Sequence, residues 1–290
     1  MTDRVVLFSS RGMAFSYGLI LIGTGRLFGK PVCLRLFGGR PYLSAISRNS
    51  LFRHITEWLL SRAASISLET EIGRNDFPES VRRRVTSIPG YRPKPGKTTP
   101  RSHTDGCFRF VFAGRVDASK GIDVLLSACE MLAEQSLPSR FQVDCYGPAS
   151  DETEQACRKH PTIRLMGVVD NAAYRSTLAS YDAFVYPSVY DNEGHPGAVI
   201  EAMLSGLPVI CTSLPTVMEI VSNDVEGLVV EPGSADTLAR AMSQIISDRS
   251  LRDRLAAAAG RKGLSFDEDV VIPQLLRAMG LSGGEVEAGD

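Results

Sequence analysis

Short apolar runs of strand length alternate with longer amphipathic stretches after residue 106, which predicts strands separated by helices. The predicted strands are Phe108–Ala113, Phe141–Tyr146, Ile163–Met166, Ala183–Tyr186, Pro208–Cys211 and Gly227–Val230. The predicted helices are Ile122–Gln135, Glu152–Lys159, Asn171–Ser180, Gly197–Ser205, Pro215–Val221 and Ala235–Ser247. This βα alternation predicts an α/β fold with a doubly wound, Rossmann-like parallel sheet.

The first hundred residues show the same alternation with fewer strands. Strands are predicted at Arg4–Phe8, Pro31–Phe37, Ser65–Leu68 and Val85–Ile88, and helices over Met13–Phe28 and from Asn49 or Ser50 to Ala64. They predict a partial N-terminal α/β domain. Because this layer is small for a parallel sheet, we expect an upstream element or a partner to complete it.

Composition and charge both change near residue 98. Residues 91–106 are rich in proline and glycine and almost free of apolar side chains, as is typical of a linker. Residues 1–102 carry 17 lysines and arginines against 6 acidic residues, whereas residues 103–290 carry 15 against 27. The predicted division is an N-terminal domain 1–97, a linker 98–106, a C-terminal domain 107–265, and a final helix and tail 266–290.

The overall composition is that of a soluble globular protein. Hydrophobic residues make up 43% and charged residues 22% of the 290 positions, which argues against disorder, a fibrous repeat or a multi-span membrane protein. Six scattered cysteines without a Cys-x-x-Cys pair favour a reduced, cytoplasmic chain, with export as the less favoured alternative. No histidine pair has metal-ligand spacing, so no metal site is expected.

Candidate binding residues follow the predicted strands, where doubly wound sheets bind their ligands. Gly114 would let a ligand approach the backbone, and Arg115 and Lys120 place two cations near a helix N-terminus, which suits a diphosphate. After the fourth strand, Glu193 falls in a Gly/Pro-rich turn and Glu201 in an apolar helix, where a carboxylate can accept ribose hydroxyls. The alternatives are solvated surface cations, a capping carboxylate and an ordinary surface glutamate.

These motifs, together with Glu219-Ile-Val and Gly227–Gly233, make residues 108–280 similar to the C-terminal domain of family 4 glycosyltransferases. That family has the GT-B fold of two facing Rossmann-like domains. The N-terminal part resembles the family more weakly, through Leu7–Ser10, Pro31–Gly39 and Ile88–Gly90. The resemblance implies retaining transfer of a sugar from a nucleotide-diphosphate sugar, without a cofactor or an obligatory metal. The implied acceptor is a carbohydrate or a lipid-linked molecule, in polysaccharide or glycolipid synthesis.

The resemblance also implies residue roles. Arg115 and Lys120 would bind the donor diphosphate and stabilise the leaving group, Glu193 would face the donor sugar, and Glu201 would hold the ribose. The other implied donor-binding residues are Gly114, Gly147, Val168, Gly194, His195, Pro196 and Gly197. For His195, packing within the turn is an equal alternative. The final helix is expected to return to the N-terminal domain, as in other GT-B proteins.

The sequence also departs from the family. The family's N-terminal domain is longer, so we expect its first half to be absent here. Phe37 stands where a histidine is frequent, and Leu214–Met218 replaces a stretch that commonly holds two glycines. One alternative is therefore an incomplete chain that binds nucleotide but needs a partner polypeptide. A sugar-nucleotide epimerase is less favoured, because no acid/base set is evident on the N-terminal side.

The basic N-terminal part also predicts a partner. Arg48, Arg53, Arg62 and Arg82–Arg84 accompany an apolar helix with Phe52, Trp58 and Leu59. Such a surface suits peripheral contact with an anionic membrane at its inner face. The alternative is a core helix with solvated arginines. No nucleic-acid motif accompanies the charge, so nucleic acid is not an expected partner.

Overall fold

A computed structural model of the chain describes residues 4–10, 17–38, 50–96, 106–137 and 139–281. The chain forms two compact units. The N-terminal unit comprises Met1–Tyr91, Asp191–His195 and Asp269–Asp290, and the C-terminal unit comprises Arg92–Tyr190 and Pro196–Glu268. The predicted linker 98–106 lies outside the described residues except for Gly106, and the predicted tail 283–290 lies wholly outside them.

Strands and helices alternate along most of the described chain. The strands are β1 (Val5–Ser10), β2 (Val32–Phe37), β3 (Ser65–Leu68), β4 (Val85–Ser87), β5 (Cys107–Ala113), β6 (Arg140–Tyr146), β7 (Ile163–Gly167), β8 (Ala183–Tyr186), β9 (Val209–Thr212) and β10 (Gly227–Val230). The helices are α1 (Leu19–Leu27), α2 (Ser50–Leu60), α3 (Glu79–Arg82), α4 (Ile122–Ala133), α5 (Asp151–Lys159), α6 (Asn171–Leu178), α7 (Gly197–Leu204), α8 (Ala235–Ser247), α9 (Arg249–Gly263) and α10 (Glu268–Ala278).

The C-terminal unit is built on a six-stranded parallel sheet in the order β10-β9-β8-β5-β6-β7. Alternate residues of β5 face opposite sides, so that Phe110 and Phe112 join one apolar cluster while Val111 and Ala113 join another. Both faces are therefore covered, as parallel sheets require. The strand order reverses between β5 and β8, which confirms the doubly wound prediction and marks the place where such sheets bind ligands.

The N-terminal unit has a four-stranded parallel sheet in the order β1-β2-β3-β4. Leu34 and Leu36 of β2 pack in one apolar cluster with residues of α1 and α2. Cys33 faces the other side, where it packs with Val271 and Leu275 of α10. The sheet is thus covered on both faces within this unit, and the predicted α/β class holds here too.

Three sequence predictions need correction or extension. The stretch 215–220 forms turns instead of the predicted helix, with Val217 and Met218 N–H both donating to the Leu214 carbonyl. Helix α9 was not predicted, because its buried residues include alanine and glycine. The predicted helix Met13–Phe28 is observed as α1, and residues 11–16 lie outside the described chain.

None of the helices that the described residues form has both the length and the apolar character needed to cross a bilayer. All six cysteines are free thiols, five of them buried. Burial raises the pKa of Cys129 and of Cys211 to about 12. These thiols therefore behave as small core side chains.

Candidate functional site

Two glycines end neighbouring strands at the centre of the C-terminal sheet. Gly114 follows β5 with φ 147° and Gly147 follows β6 with φ 133°, a backbone region that side chains rarely adopt. The Gly114 N–H donates to the Tyr146 carbonyl at 3.0 Å, and a Cβ at Gly147 would overlap the Gly114 carbonyl. The two chain turns therefore touch backbone to backbone, and among the described residues no atom beyond the chain neighbours lies within 4 Å of the position that a Cβ would take at Gly114.

A cavity of about 270 Å³ opens beside these glycines at the carboxyl ends of β5 and β6. Its lining is Ala113, Gly114, Tyr146, Gly147, Pro148, Val168, Val169, Asn171, Tyr174, Ala198 and Glu201. Four predicted donor-binding residues, Gly114, Gly147, Val168 and Glu201, thus meet at one cavity. A larger cavity of about 590 Å³ includes Cys107 and Arg140, at the amino ends of the same strands. We assign the smaller one as the site, because doubly wound sheets bind ligands at their carboxyl ends.

Glu201 is the buried charged group of this cavity, with 8% of its surface exposed. Its Oε1 lies 3.6 Å from the Arg92 Nε and 3.6 Å from the Arg175 Nη1. Burial raises the pKa of the Glu201 carboxyl above its usual value, although the two guanidinium groups oppose that rise. A carboxylate held in this way can accept hydrogen bonds from ligand hydroxyls that enter the cavity.

Arg92 also covers the first residue of α7. A Cβ at Gly197 would overlap the Arg92 guanidinium, so glycine is what permits this close approach. The backbone of Arg92 is fixed by bonds at 3.1 Å to the Phe266 carbonyl and from the Glu268 N–H. Arg92, which lies in a proline-rich stretch, and Arg175, which lies on a helix, are not predicted as site residues by the sequence. The apolar neighbours of Glu201 implied burial, but no sequence signal named its partners.

The loop after β5 carries the two predicted diphosphate-binding cations. Arg115 is anchored through Nη2 to the Ser119 Oγ at 3.0 Å and through Nε to the Asp117 carboxylate at 3.2 Å. Asp117 also accepts from the Ser119 hydroxyl and from the Lys120 N–H. Burial raises the pKa of Asp117, but these hydrogen bonds and Arg115 outweigh it and hold the pKa below its usual value. The loop is therefore ordered by a carboxylate that stays charged near neutral pH.

Lys120 lies where the loops after β5 and β8 meet. Its Nζ is 5.8 Å from the Tyr186 ring centroid and 5.4 Å from that of Tyr190. A Cβ on the next residue, Gly121, would overlap the Pro187 carbonyl, and its φ of 77° also requires glycine. These contacts place Arg115 and Lys120 on one loop at the switch point of the sheet, as the diphosphate prediction requires.

Aromatic side chains form one wall of the cavity. Tyr146 and Tyr174 pack with ring centroids 5.2 Å apart, and the Tyr181 hydroxyl, 2.9 Å from that of Tyr146, donates to buried Asp144 at 2.9 Å. Arg164 completes that network through two bonds to Asp144, at 2.9 and 2.8 Å. The Tyr174 hydroxyl is buried and has no hydrogen-bond partner among the described residues. Burial, followed by Glu201 and Tyr146, raises the pKa of Tyr174.

The turn before α7 divides between the two units. Gly194 and His195 belong to the N-terminal unit, where the Gly90 N–H donates to the His195 Nδ1 at 3.3 Å. A Cβ at Gly194 would overlap the Glu69 carboxylate. Glu193 lies in the same turn. Pro196 and Gly197 belong to the C-terminal unit and begin α7.

The sequence profile of a family described as Glycosyl transferases group 1 matches residues 107–248. The phosphatidyl-myo-inositol mannosyltransferase of Mycobacterium leprae is 26% identical over 265 residues, which are 89% of this chain and 67% of that protein. A putative colanic acid biosynthesis glycosyltransferase, WcaL of Escherichia coli, is 28% identical over 215 residues, covering 69% of this chain and 51% of that protein. The chain thus spans about half to two thirds of these relatives.

Among solved structures, Anabaena Alr3699/HepE in complex with UDP is similar in fold. The TM-score is 0.75 at 18% identity, over 95% of this chain and 78% of that one. At this identity the likeness concerns the fold alone. It agrees with the GT-B-like α/β class predicted from the sequence.

Proposed function

Because residues 107–248 match the sequence profile of the family described as Glycosyl transferases group 1, we propose that the protein transfers a sugar from a nucleotide-diphosphate sugar to an acceptor hydroxyl. One observation carries the proposal. The buried Glu201 carboxylate lines a cavity whose floor is the bare backbone of Gly114 and Gly147, at the carboxyl ends of β5 and β6. That arrangement offers a ribose-binding acid beside a backbone that a nucleotide can approach.

The nucleoside of the donor would occupy the cavity. Glu201 would accept hydrogen bonds from the two ribose hydroxyls, and charge-assisted hydrogen bonds of this kind contribute roughly 1.5–3 kcal/mol each. Val168 and Val169 line the cavity with exposed side chains and would cover one face of the base. Tyr174 lines the same cavity and would contact the nucleoside through its side chain.

The diphosphate would bind at Arg115, Lys120 and the beginning of α7. In transfer, the bond between the anomeric carbon and the diphosphate oxygen breaks while a bond to the acceptor oxygen forms. The acceptor proton passes to the departing diphosphate. We propose that the new bond forms on the face that the diphosphate leaves, with retention of configuration. Arg115 and Lys120 stabilise the negative charge that grows on the leaving group, so no obligatory metal is invoked.

The proposed acceptor is a carbohydrate or a lipid-linked molecule. The names of the mycobacterial and Escherichia coli relatives point to glycolipid and to polysaccharide synthesis. The exposed apolar side chains of α2 include Leu51, Ile55 and Trp58, spaced as one helical stripe, and the Arg62 guanidinium lies over the Trp58 ring, 3.6 Å from its centroid. We therefore propose peripheral contact with an anionic membrane through this helix.

Calorimetric titration with UDP, GDP and ADP tests the proposal. We expect one of the three to bind in the micromolar range and thereby to identify the base. Glu130→Gln, an exposed change on α4, is the control and should bind as the wild type does. No binding of any nucleotide by folded protein would contradict the proposal. Nucleotide binding without sugar transfer would favour the alternative in which a partner polypeptide is needed.

A further inference from the structure

A second, strongly basic pocket lies in the N-terminal unit, with a volume of about 520 Å³. Its lining is Ile22, Arg26, Gly29, Lys30, Pro31, Val32, Arg62, Ala63, Ala64 and Arg84. Four of these residues are cationic, and none of the described residues that line the pocket is acidic. The lining segments directly precede β2, β3 and β4, so the pocket lies at the amino ends of the strands. Parallel sheets bind their substrates at the opposite edge.

Backbone contacts fix the cations in place. The Arg62 Nη1 donates to the Trp58 carbonyl at 2.8 Å, and the Arg84 Nη1 donates to the Ala63 carbonyl at 3.1 Å. Each guanidinium carries five donors, so one bond to a carbonyl leaves most of its binding capacity. The Arg62 guanidinium also lies 3.6 Å from the centroid of the Trp58 ring, which holds it flat. These two arginines are therefore ordered before any ligand arrives.

Of the other two cations, Arg26 lies in the last turn of α1 and Lys30 follows the end of that helix. The Lys30 N–H donates to the Gly25 carbonyl at 2.7 Å. A Cβ at Gly25 would overlap both Val32 and the Lys30 carbonyl, so α1 lies directly against the start of β2. The carbonyl ends of α1 and α2 offset part of the positive charge. These carbonyls supply only partial charges, and one of them, the Trp58 carbonyl at the end of α2, already accepts from Arg62.

From this geometry we propose that the pocket binds a phosphate group. Fixed guanidinium forks match the tetrahedral oxygens of phosphate, and two of the four cations are arginines already held in place. Three exposed apolar side chains, here called the rim, adjoin lining residues: Leu27 (80% exposed) and Phe28 (74%) stand between Arg26 and Gly29 in sequence, and Trp58 (54%) packs against Arg62. That rim fits a phosphate carried on a lipid, and the pocket itself fits a free phosphate. The inference concerns the N-terminal unit alone and does not rest on the proposed transferase activity.

The test compares two sources of the same group. Inorganic phosphate and pyrophosphate are titrated into the whole protein by calorimetry. In parallel, the protein is sedimented with phosphatidylcholine vesicles that contain or lack phosphatidic acid. The variant Arg26→Gln/Lys30→Gln removes two exposed cations of the pocket. The control Arg74→Gln/Arg83→Gln removes the same charge from exposed positions of the same unit that do not line the pocket.

We expect binding that the pocket variant weakens about tenfold or more and that the control leaves unchanged. Binding of the soluble anions identifies a free phosphate site, and binding only of vesicles with phosphatidic acid identifies a lipid headgroup site. Arg84→Lys keeps the positive charge but loses the paired N–H donors of the guanidinium group, so it should weaken binding less than the double variant. No binding of either source, or equal loss in variant and control, overturns the inference. UDP binding by the pocket variant should stay unchanged, which separates this outcome from failure of the donor site.

Discussion

The Arg175 guanidinium lies 3.6 Å from the Glu201 carboxylate, and the two side chains are 18% and 10% exposed. Arg92 approaches the same oxygen at 3.6 Å from a third segment of the chain. Two cations therefore balance the charge of the acid that we assign to the ribose. The surroundings of Glu201 therefore depend on three elements that are far apart in sequence: α7, which carries Glu201, α6, which carries Arg175, and the extended segment at Arg92.

Removal of Arg175 should destabilise the protein. In Arg175→Ala the buried Glu201 carboxylate loses a partner, which we expect to cost about 1–3 kcal/mol of unfolding free energy. Urea unfolding at neutral pH measures it. Arg158→Ala is the matched control, because Arg158 is 73% exposed in its pair with Glu154 and such pairs contribute about 0–1 kcal/mol. An equal decrease in unfolding free energy in the two variants would show that the buried pair of Arg175 with Glu201 contributes no more to stability than an exposed pair.

The raised pKa of Glu201 predicts that Glu201→Gln gains stability relative to the wild type as the pH rises. Burial favours the protonated carboxyl in the folded state, so the folded protein binds more protons than the unfolded chain above the usual pKa of 4.5. The Glu201 contribution to stability is thus fully present below that pH and is lost as the pH rises through the raised folded value. Relative to the wild type, Glu201→Gln should become more stable from pH about 4.5 upward.

Urea titrations at several pH values measure this difference. Glu130→Gln serves as the control, since Glu130 is exposed on α4. A difference between Glu201→Gln and wild type that stays constant with pH would refute the predicted shift.

Gly147 should not tolerate a side chain. In Gly147→Ala the new Cβ meets the Gly114 carbonyl, so β5 and β6 must separate at the cavity floor. Gly167→Ala is the control: its φ of 70° is also unfavourable to alanine, but nothing lies within 4 Å of the new atom. We expect Gly147→Ala to cost about 1–3 kcal/mol more than Gly167→Ala and to weaken nucleotide binding. Thermal unfolding and UDP titration of both variants check this, and similar behaviour of the two would contradict it.

Arg115 and Lys120 should act on the phosphates and not on the nucleoside. Arg115→Ala and Lys120→Ala should each weaken binding of the nucleoside diphosphate about tenfold or more, because each removes a charge-assisted contact. Binding of the nucleoside alone should stay unchanged. Lys159→Ala, an exposed change at the end of α5, is the control for net charge. An equal loss of affinity for the nucleoside and for the nucleoside diphosphate would contradict the assignment of Arg115 and Lys120 to the phosphates.

The local parts of this fold were predictable from sequence. Strands β8 and β10 were predicted to the residue, because each is a short apolar run bounded by polar or turn residues. The segment 215–220 was not, since Pro215 and the β-branched Thr216 and Val217 favour turns over a regular helix there. Helix α9 was missed because Ala259 and Gly263 carry little hydrophobic signal, although both are buried against the unit.

The candidate site also has residues that the sequence predicts and residues that it does not. Gly114, Gly147 and Glu201 were predictable because each has a local signal, either a glycine that ends a strand or an acid among apolar residues. Arg92 and Arg175 were not, because their roles arise from contacts with residues more than twenty positions away. The basic pocket was not predicted either, although Arg62 and Arg84 were among the basic residues that the sequence indicated. Its four cations come from three separate segments and meet only when the sheet forms.

The most direct test of the central claim compares a nucleoside diphosphate with its 2′,3′-dideoxy analogue by calorimetry, in wild type and in Glu201→Ala. If Glu201 holds the ribose, the wild type should bind the analogue about tenfold or more weakly, and Glu201→Ala should bind both ligands alike. An equal preference for the full ribose in both proteins would contradict the assignment of Glu201, and with it the proposed donor site.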